Sequence, residues 1–252
     1  MPHDSRPATS KVPAVTLGFW LIKIAATTLG ETGGDALSMS LGLGYLVSTA
    51  IFAVVFATAV GAQIGARRFR PLLYWLTVVA TTTVGTTLAD FADRSLGIGY
   101  AGGSILLLAL LLASLVIWYR VLGSIAVDSV ATPHAEAFYW ITIMFSQTLG
   151  TALGDWTADS AGLGYTGAMM IFGGLLLAVA AAYFWTRLSR TALFWLAFVL
   201  TRPLGAVVGD FLDKPIDHGG LALSRIGASG VLVALMLVFI LIFPQRPADK
   251  AY

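Results

Sequence analysis

The sequence predicts an all-α integral membrane fold, with eight transmembrane helices arranged as four helical-hairpin repeats that all run the same way across the bilayer. Three observations lead there. Of 252 residues, 58% are hydrophobic and 11% charged, and mean hydropathy is +0.85, outside the range of water-soluble domains. Apolar runs near the ~20 residues that a crossing needs fill almost the whole chain and leave no space for a second, soluble domain. Four tryptophans recur in one context, FWLIK at Trp20, YWLTV at Trp75, YWITI at Trp140 and FWLAF at Trp195, at steps of 55, 65 and 55 residues.

Counting from each Trp, position +10 is glycine (Gly30, Gly85, Gly150, Gly205) and position +15 is aspartate (Asp35, Asp90, Asp155, Asp210), with no gap needed. Position +25 is Tyr45, Tyr100 and Tyr165, within SLGLGY, SLGIGY and SAGLGY, while the fourth copy reads DHGGLAL. Each repeat is therefore a helix carrying Trp and Asp, a Gly-containing turn, and a nearly charge-free helix. Spans are expected at 14–38, 45–66, 72–94, 99–119, 136–159, 164–186, 191–213 and 221–243. Two crossings per repeat make every copy enter from the same side, which is parallel-repeat pseudo-symmetry about the membrane normal. Copies one and three share TLG, copies two and four share DFADR and DFLDK, and the longer step carries GSIAVDSVATPHAEA. The expected organisation is a tail at 1–13, a first half at 14–122, a connection at 123–135, a second half at 136–243 and a tail at 244–252. The polar, Pro-containing start lacks a small-residue cleavage site, so the first helix is expected to be retained.

Orientation follows from the basic residues. Arg6, Lys11, Arg67, Arg68, Arg70, Arg120, Arg187, Arg190, Arg246 and Lys250 fall on the side of the termini; Arg94, Lys214 and Arg225 fall opposite, and Lys23 and Arg202 lie inside helices. The positive-inside rule then puts both termini in the cytoplasm. Net charge is +2, but the basic residues form short clusters between apolar runs, so no nucleic-acid partner is implied.

The odd-numbered helices carry the chemistry. Small residues at both +10 and +14 (GETGG, GTTLA, GTALG, GAVVG) allow close helix approach, so these helices are expected at the centre with the even ones outside, facing lipid. Eight acids lie in the outer halves of the odd helices: Glu31, Asp35, Asp90, Asp93, Asp155, Asp159, Asp210 and Asp213. Within each helix they are three or four residues apart, hence on one face. Hydroxyls share it: Thr28 with Glu31 and Asp35, Thr83 with Thr86 and Asp90, Thr148 with Thr151 and Asp155. Converging, these faces make an outward-opening acidic funnel lined by Thr28, Thr83 and Thr148. The bland alternative is that acids near an interface are hydrated or cap the following turn. Lys23, Glu31 and Arg202 are unique to one copy and lie deeper, as a structural ion pair between first and last repeats or as a gate. Pro203, beside Arg202, favours a kink.

Missing residues narrow the function. There is no cysteine, and His3, His134 and His218 fall outside the spans, which disfavours imidazole or thiolate metal routes. Oxygen ligands suit hard cations, so Asp35, Asp90, Asp155 and Asp210 are the expected metal ligands and Mn²⁺, Ca²⁺ or Mg²⁺ the candidate ion. The DxxD spacing in DFADR and DFLDK also occurs in Mg²⁺-dependent membrane transferases, but the further acids and phosphate anchors such enzymes need are absent, so no enzyme activity is expected.

The repeated W…TLG…GD segment and the SLGLGY turn resemble bacterial multipass membrane proteins that carry a four-fold repeat of unknown function, over residues 15 to 243. The resemblance implies a bacterial plasma (inner) membrane protein and no particular activity. ETGGDALS is similar to the E-x-G-D-[KR]-[TS] signature of calcium and manganese cation:proton exporters, with one extra residue before the Asp and no basic residue after it. The expected function is a transporter or channel for a cationic solute, a hard divalent ion foremost, with a non-transporting scaffold or sensor as the alternative. Expected partners are the lipid bilayer and the solute, with homo-oligomerisation left open.

Overall fold

The structure, a computed structural model, describes residues 10–248, so His3, Arg6 and Lys250 lie outside the described residues. It is all-helical, with eight long helices: α1 (Leu17–Asp35), α2 (Gly44–Gly65), α3 (Pro71–Asp90), α4 (Tyr100–Leu122), α5 (Pro133–Asp155), α6 (Gly164–Trp185), α7 (Arg190–Asp213) and α8 (Arg225–Ile242). Local sequence sets the boundaries. Thr16, Thr132, Ser189 and Ser224 cap α1, α5, α7 and α8 by accepting the amide three residues on, at 3.3–3.4 Å. Pro71 and Pro133 start α3 and α5, where a missing N–H costs nothing.

The SLGLGY motif is a turn with a backbone reason. Gly42 and Gly44, Gly97 and Gly99, and Gly162 and Gly164 all have φ between 63° and 81°, the left-handed region that side chains avoid. Just before each turn the helix widens into one π turn over 36–40, 91–95 and 156–160. The amides of Leu41, Leu96 and Ala161 close them onto the carbonyls five residues back, Ala36, Phe91 and Trp156. The fourth repeat has neither feature. Its α7 stays a single helix through Pro203 to Asp213, so the proline does not break it. The loop after α7 folds back onto the helix end, with Leu221 and Leu223 donating to Phe211 and Leu212 at 2.8 and 2.9 Å.

Helices α1, α3, α5 and α7 form a closed central ring, each touching the next and α7 returning to α1. The expected hairpin packing is corrected here. Each even helix packs mainly on the odd helix of the following repeat, α2 on α3, α4 on α5, α6 on α7 and α8 on α1, while the two helices of one repeat make few direct contacts. The π turn and two-glycine turn carry the chain sideways by one position, so neighbouring repeats interlock and the last closes on the first.

The ring explains the small residues. A Cβ on Gly30 would collide with Thr82, on Gly85 with Gln147, on Gly150 with Arg202, and on Gly205 with Thr27. In every case the +7 side chain of the next repeat crosses the +10 glycine of the one before. The +11 residues do the same one turn further on: Thr86 crosses Gly34 at 3.1 Å, Ala206 crosses Gly154 at 3.1 Å and Glu31 crosses Gly209 at 2.6 Å. At +10 glycine is needed because the helix axes approach too closely for a methyl group, while at +14 the second repeat carries Ala89.

At the tryptophan end the ring is filled by aromatic rings. Trp75, Trp140 and Trp195 are buried, Tyr74 and Tyr139 share a hydroxyl hydrogen bond of 2.6 Å, and Phe19 lies 6.0 Å from Phe194 between ring centroids. Segments 10–14 and 246–248 pack together on this side: Ala14 and Ala248 donate to Arg246 and Val12 at 2.8 Å, and Lys11 pairs with Glu136 at 2.7 Å. Among the described residues six helices are long and apolar enough to cross a membrane, and α1 and α5 are not among them. Those two are ring helices whose own Lys, Glu, Gln and Thr side chains point inward. The apolar windows of α2, α4, α6 and α8 are only 11–17% buried, against 67–72% for α3 and α7, which separates an outer set from an inner one.

Candidate functional site

Opposite the aromatic end, the ring helices bring six carboxylates together. Glu31, Asp35, Asp90, Asp155, Asp210 and Asp213 are each no more than 6% exposed. The expected open funnel is corrected: basic residues cover and pair the acids. Arg94 bonds Asp90 at 3.0 Å and Asp155 at 3.5 Å. Lys214 bonds Asp35, and Asp210 at 3.0 Å, while Arg225 reaches Asp213 at 3.2 Å and Asp35 at 3.8 Å. Burial alone would lower the Lys214 pKa, but Asp210, Asp35 and Asp213 outweigh it and hold the ammonium above the usual lysine range.

These bridges have a register. Arg94 and Lys214 both occupy position +19, four residues after their own repeat Asp, and each spans to the +15 Asp of the following repeat. Arg94 joins repeats two and three; Lys214 joins four and one. The aromatic end does not share this grouping: Tyr74 meets Tyr139 and Phe19 meets Phe194, but Phe19 also meets Trp75 and Tyr139 meets Trp195, so all neighbouring repeats are in contact there. In the other two copies +19 is Met39 and Asp159. The four aspartates thus stand as two bridged pairs and not as one ligand set. Two groups bring three carboxylate oxygens within 4.8 Å of one another, Glu31 with Asp35 and Asp90, and Asp35 with Asp210 and Asp213. Asp155 belongs to neither, and Asp35 to both.

Asp93 and Asp159 do not join the cluster. Asp93 faces α4, its Oδ1 lying 3.2 Å from where a Cβ on Gly103 would be, and Asp159 is exposed. Both come after the +15 Asp inside a π turn, where the wider turn removes the 100° phase that would keep residues three or four apart on one face. Asp213 shares position +18 with Asp93 but sits in an unbroken α-helix, and it stays with the cluster.

Deeper along the axis Arg202 pairs with Glu31 at 2.8 Å, as the sequence suggested. Its Nη2 also donates to Thr86 and Thr151, which occupy the Glu31 position, +11, in repeats two and three. One guanidinium nitrogen therefore contacts three repeats from a fourth. Lys23 is not in this pair. Its Nζ donates to Thr201 at 3.2 Å and lies 4.0 Å from the Phe198 ring centroid. Thr28, Thr83 and Thr148 spend their hydroxyl protons on Ile24, Val79 and Met144 carbonyls of their own helices, at 2.8–3.0 Å. The hydroxyls that meet the Arg202 guanidinium are Thr86 and Thr151.

Arg94, Lys214 and Arg225 were missed as site residues because a count of charge by side files them as loop residues. The shared +19 position, with an i, i+4 carboxylate, was the available signal for the first two.

A family model described as a repeat of unknown function matches the chain four times, at residues 18–69, 73–123, 138–189 and 193–246. The chain belongs to this family. The four matches reproduce the tryptophan register and cover both the ring and the outer helices. No curated protein and no solved structure matches the chain.

Proposed function

We propose that this member of the repeat family is an eight-span membrane transporter of a cationic solute, a hard divalent ion foremost, that uses the central carboxylates as its site. The observation that carries the reading is a charge imbalance in a buried cluster. Six carboxylates meet four basic side chains, Arg94, Arg202, Lys214 and Arg225, which leaves two formal negative charges. Asp35 Oδ1 and Asp155 Oδ1 are buried with no hydrogen-bond partner, so lone pairs remain for a cation. Oxygen ligands and a surplus of two suit Mn²⁺, Ca²⁺ or Mg²⁺ better than a soft ion. The outer helices face lipid, the ring helices pack in parallel about the membrane normal, and the aromatic end with both termini faces the cytoplasm of a bacterial inner membrane.

Purified protein in liposomes should admit Mn²⁺ to an entrapped reporter dye, and Asp35→Asn should abolish the flux while the variant still folds. The aromatic seal and the paired acids favour a second reading, a non-transporting scaffold or sensor. Absence of flux for Mn²⁺, Ca²⁺ and Mg²⁺ alike, in protein whose fold is verified, would establish that alternative. Orientation has its own check. A cysteine at Ala161 should react with an impermeant thiol reagent in intact cells and one at Arg68 should not; the reverse pattern would invert the topology.

A further inference from the structure

Arg94 and Lys214 differ from ordinary structural ion pairs in three respects. They stand at one repeat position, +19, and each lies between two +15 aspartates from adjacent repeats. They occur in alternate copies only, with Met39 and Asp159 at the intervening positions, so they are not a staple that every repeat needs. Each bridged pair also keeps a buried carboxylate oxygen without a partner, Asp155 Oδ1 beside Arg94 and Asp35 Oδ1 beside Lys214, so neither cation saturates the oxygens around it. A side-chain cation held between two carboxylates that retain free lone pairs has the coordination of a bound solute cation.

We infer that Arg94 and Lys214 occupy two cation seats at the same repeat position as tethered ligands, and that an incoming cation binds by displacing Arg94. This rests on the cation reading above and adds the number of seats, their residues and the route of entry. Entry is at Arg94 because its side chain is 33% exposed, against 11% for Lys214. Lys214 is also held from outside: its carbonyl accepts the Ala222 amide at 2.9 Å, and Arg225 competes for the same Asp35 and Asp213. Swinging Arg94 outward exposes the Asp90 and Asp155 carboxylates, and Asp90 is one corner of the triad that includes Glu31 and Asp35. The displaced guanidinium stays within reach on its own helix end and can return when the ion leaves, which makes the same residue gate and competitor.

The test uses the full chain in detergent and Mn²⁺ alone as ligand, titrated calorimetrically into wild type, Arg94→Ala, Arg94→Met and Lys214→Ala. Removing the competitor should tighten Mn²⁺ binding at least ~10-fold in both Arg94 variants. Guanidinium chloride at non-denaturing concentration should restore the weaker wild-type affinity in Arg94→Ala, where a guanidinium-sized space opens, and should leave Arg94→Met unchanged, because methionine fills it. That arm separates a vacated seat from the simple loss of a positive charge. Wild-type Mn²⁺ binding that is unaltered or weakened in the Arg94 variants, or tightened but insensitive to guanidinium in Arg94→Ala, would overturn the tethered-ligand inference and leave the cation reading intact. No Mn²⁺ binding by any form would overturn both. Should Arg94→Ala not fold, Arg94→Gly carries the guanidinium arm and Arg94→Met the affinity arm.

Discussion

Arg94 and Lys214 hold the same repeat position and bridge equivalent aspartates, yet one is covered and the other stands open. The difference lies in the segment on the C-terminal side of each. Arg94 lies within a π turn, and the two-glycine turn that follows leads directly into α4 and leaves the guanidinium at the surface. After Lys214 there is no such turn; the longer loop folds back on Phe211 and Leu212, and Arg225 arrives from α8 as a second cation. A duplicated sequence thus builds two versions of one bridge, one braced and one free, and the energetic weight of an ion pair depends on that bracing. Pairs with solvent access contribute little, whereas breaking a buried pair strands a charge.

Mutations at the two bridges should reproduce this asymmetry. Lys214→Met strands Asp35 and Asp210 in the interior and should cost about 3 kcal/mol, read as a large fall in melting temperature of the purified protein. An equal or larger loss in Arg94→Met would abolish the distinction between braced and free. Gly150→Ala should come next at about 2 kcal/mol, because the added methyl meets the Arg202 stem and Pro203 Cδ, and the Arg202 bond to Glu31 must shift. Gly33→Ala, with nothing within 4 Å of the new Cβ, is the matched control and should be neutral or slightly stabilising. Arg94→Met itself should cost about 1 kcal/mol, since the Arg94 side chain is 33% exposed and water can take its place beside Asp90 and Asp155. Smallest is Asp159→Asn, within about 0.5 kcal/mol and with no change in Mn²⁺ binding, because that side chain is exposed and outside the cluster. A clear effect there would place the acidic end of repeat three in the site after all.

Much of the arrangement was readable from the chain. The tryptophan register, the paired small residues and the apolar runs gave the eight helices, the inner and outer sets and the Glu31 to Arg202 pair. Asp93 and Asp159 were assigned to the site because an α-helical phase was extended past the +15 Asp, where the backbone is in fact π-helical. Nothing in DFADR or WTADS marks that change against DFLD, which stays α-helical. The lining hydroxyls were placed one helical turn too early: Thr28, Thr83 and Thr148, at +8, satisfy themselves on the preceding turn, whereas Thr86 and Thr151, at +11, reach Arg202 across the ring.

The sequence by itself determined which residues repeat, where the turns fall and which helices tolerate close approach, because periodicity, left-handed glycines and small-residue spacing are local properties of a chain. Only the tertiary structure decided that each even helix packs on the next repeat, that the ring closes α7 on α1, and that the bases of repeats two and four fold over aspartates belonging to repeats three and one. Those are relations between elements distant in sequence. Their direction depends on how far one turn displaces the chain sideways, a distance that the pattern of a single repeat does not contain.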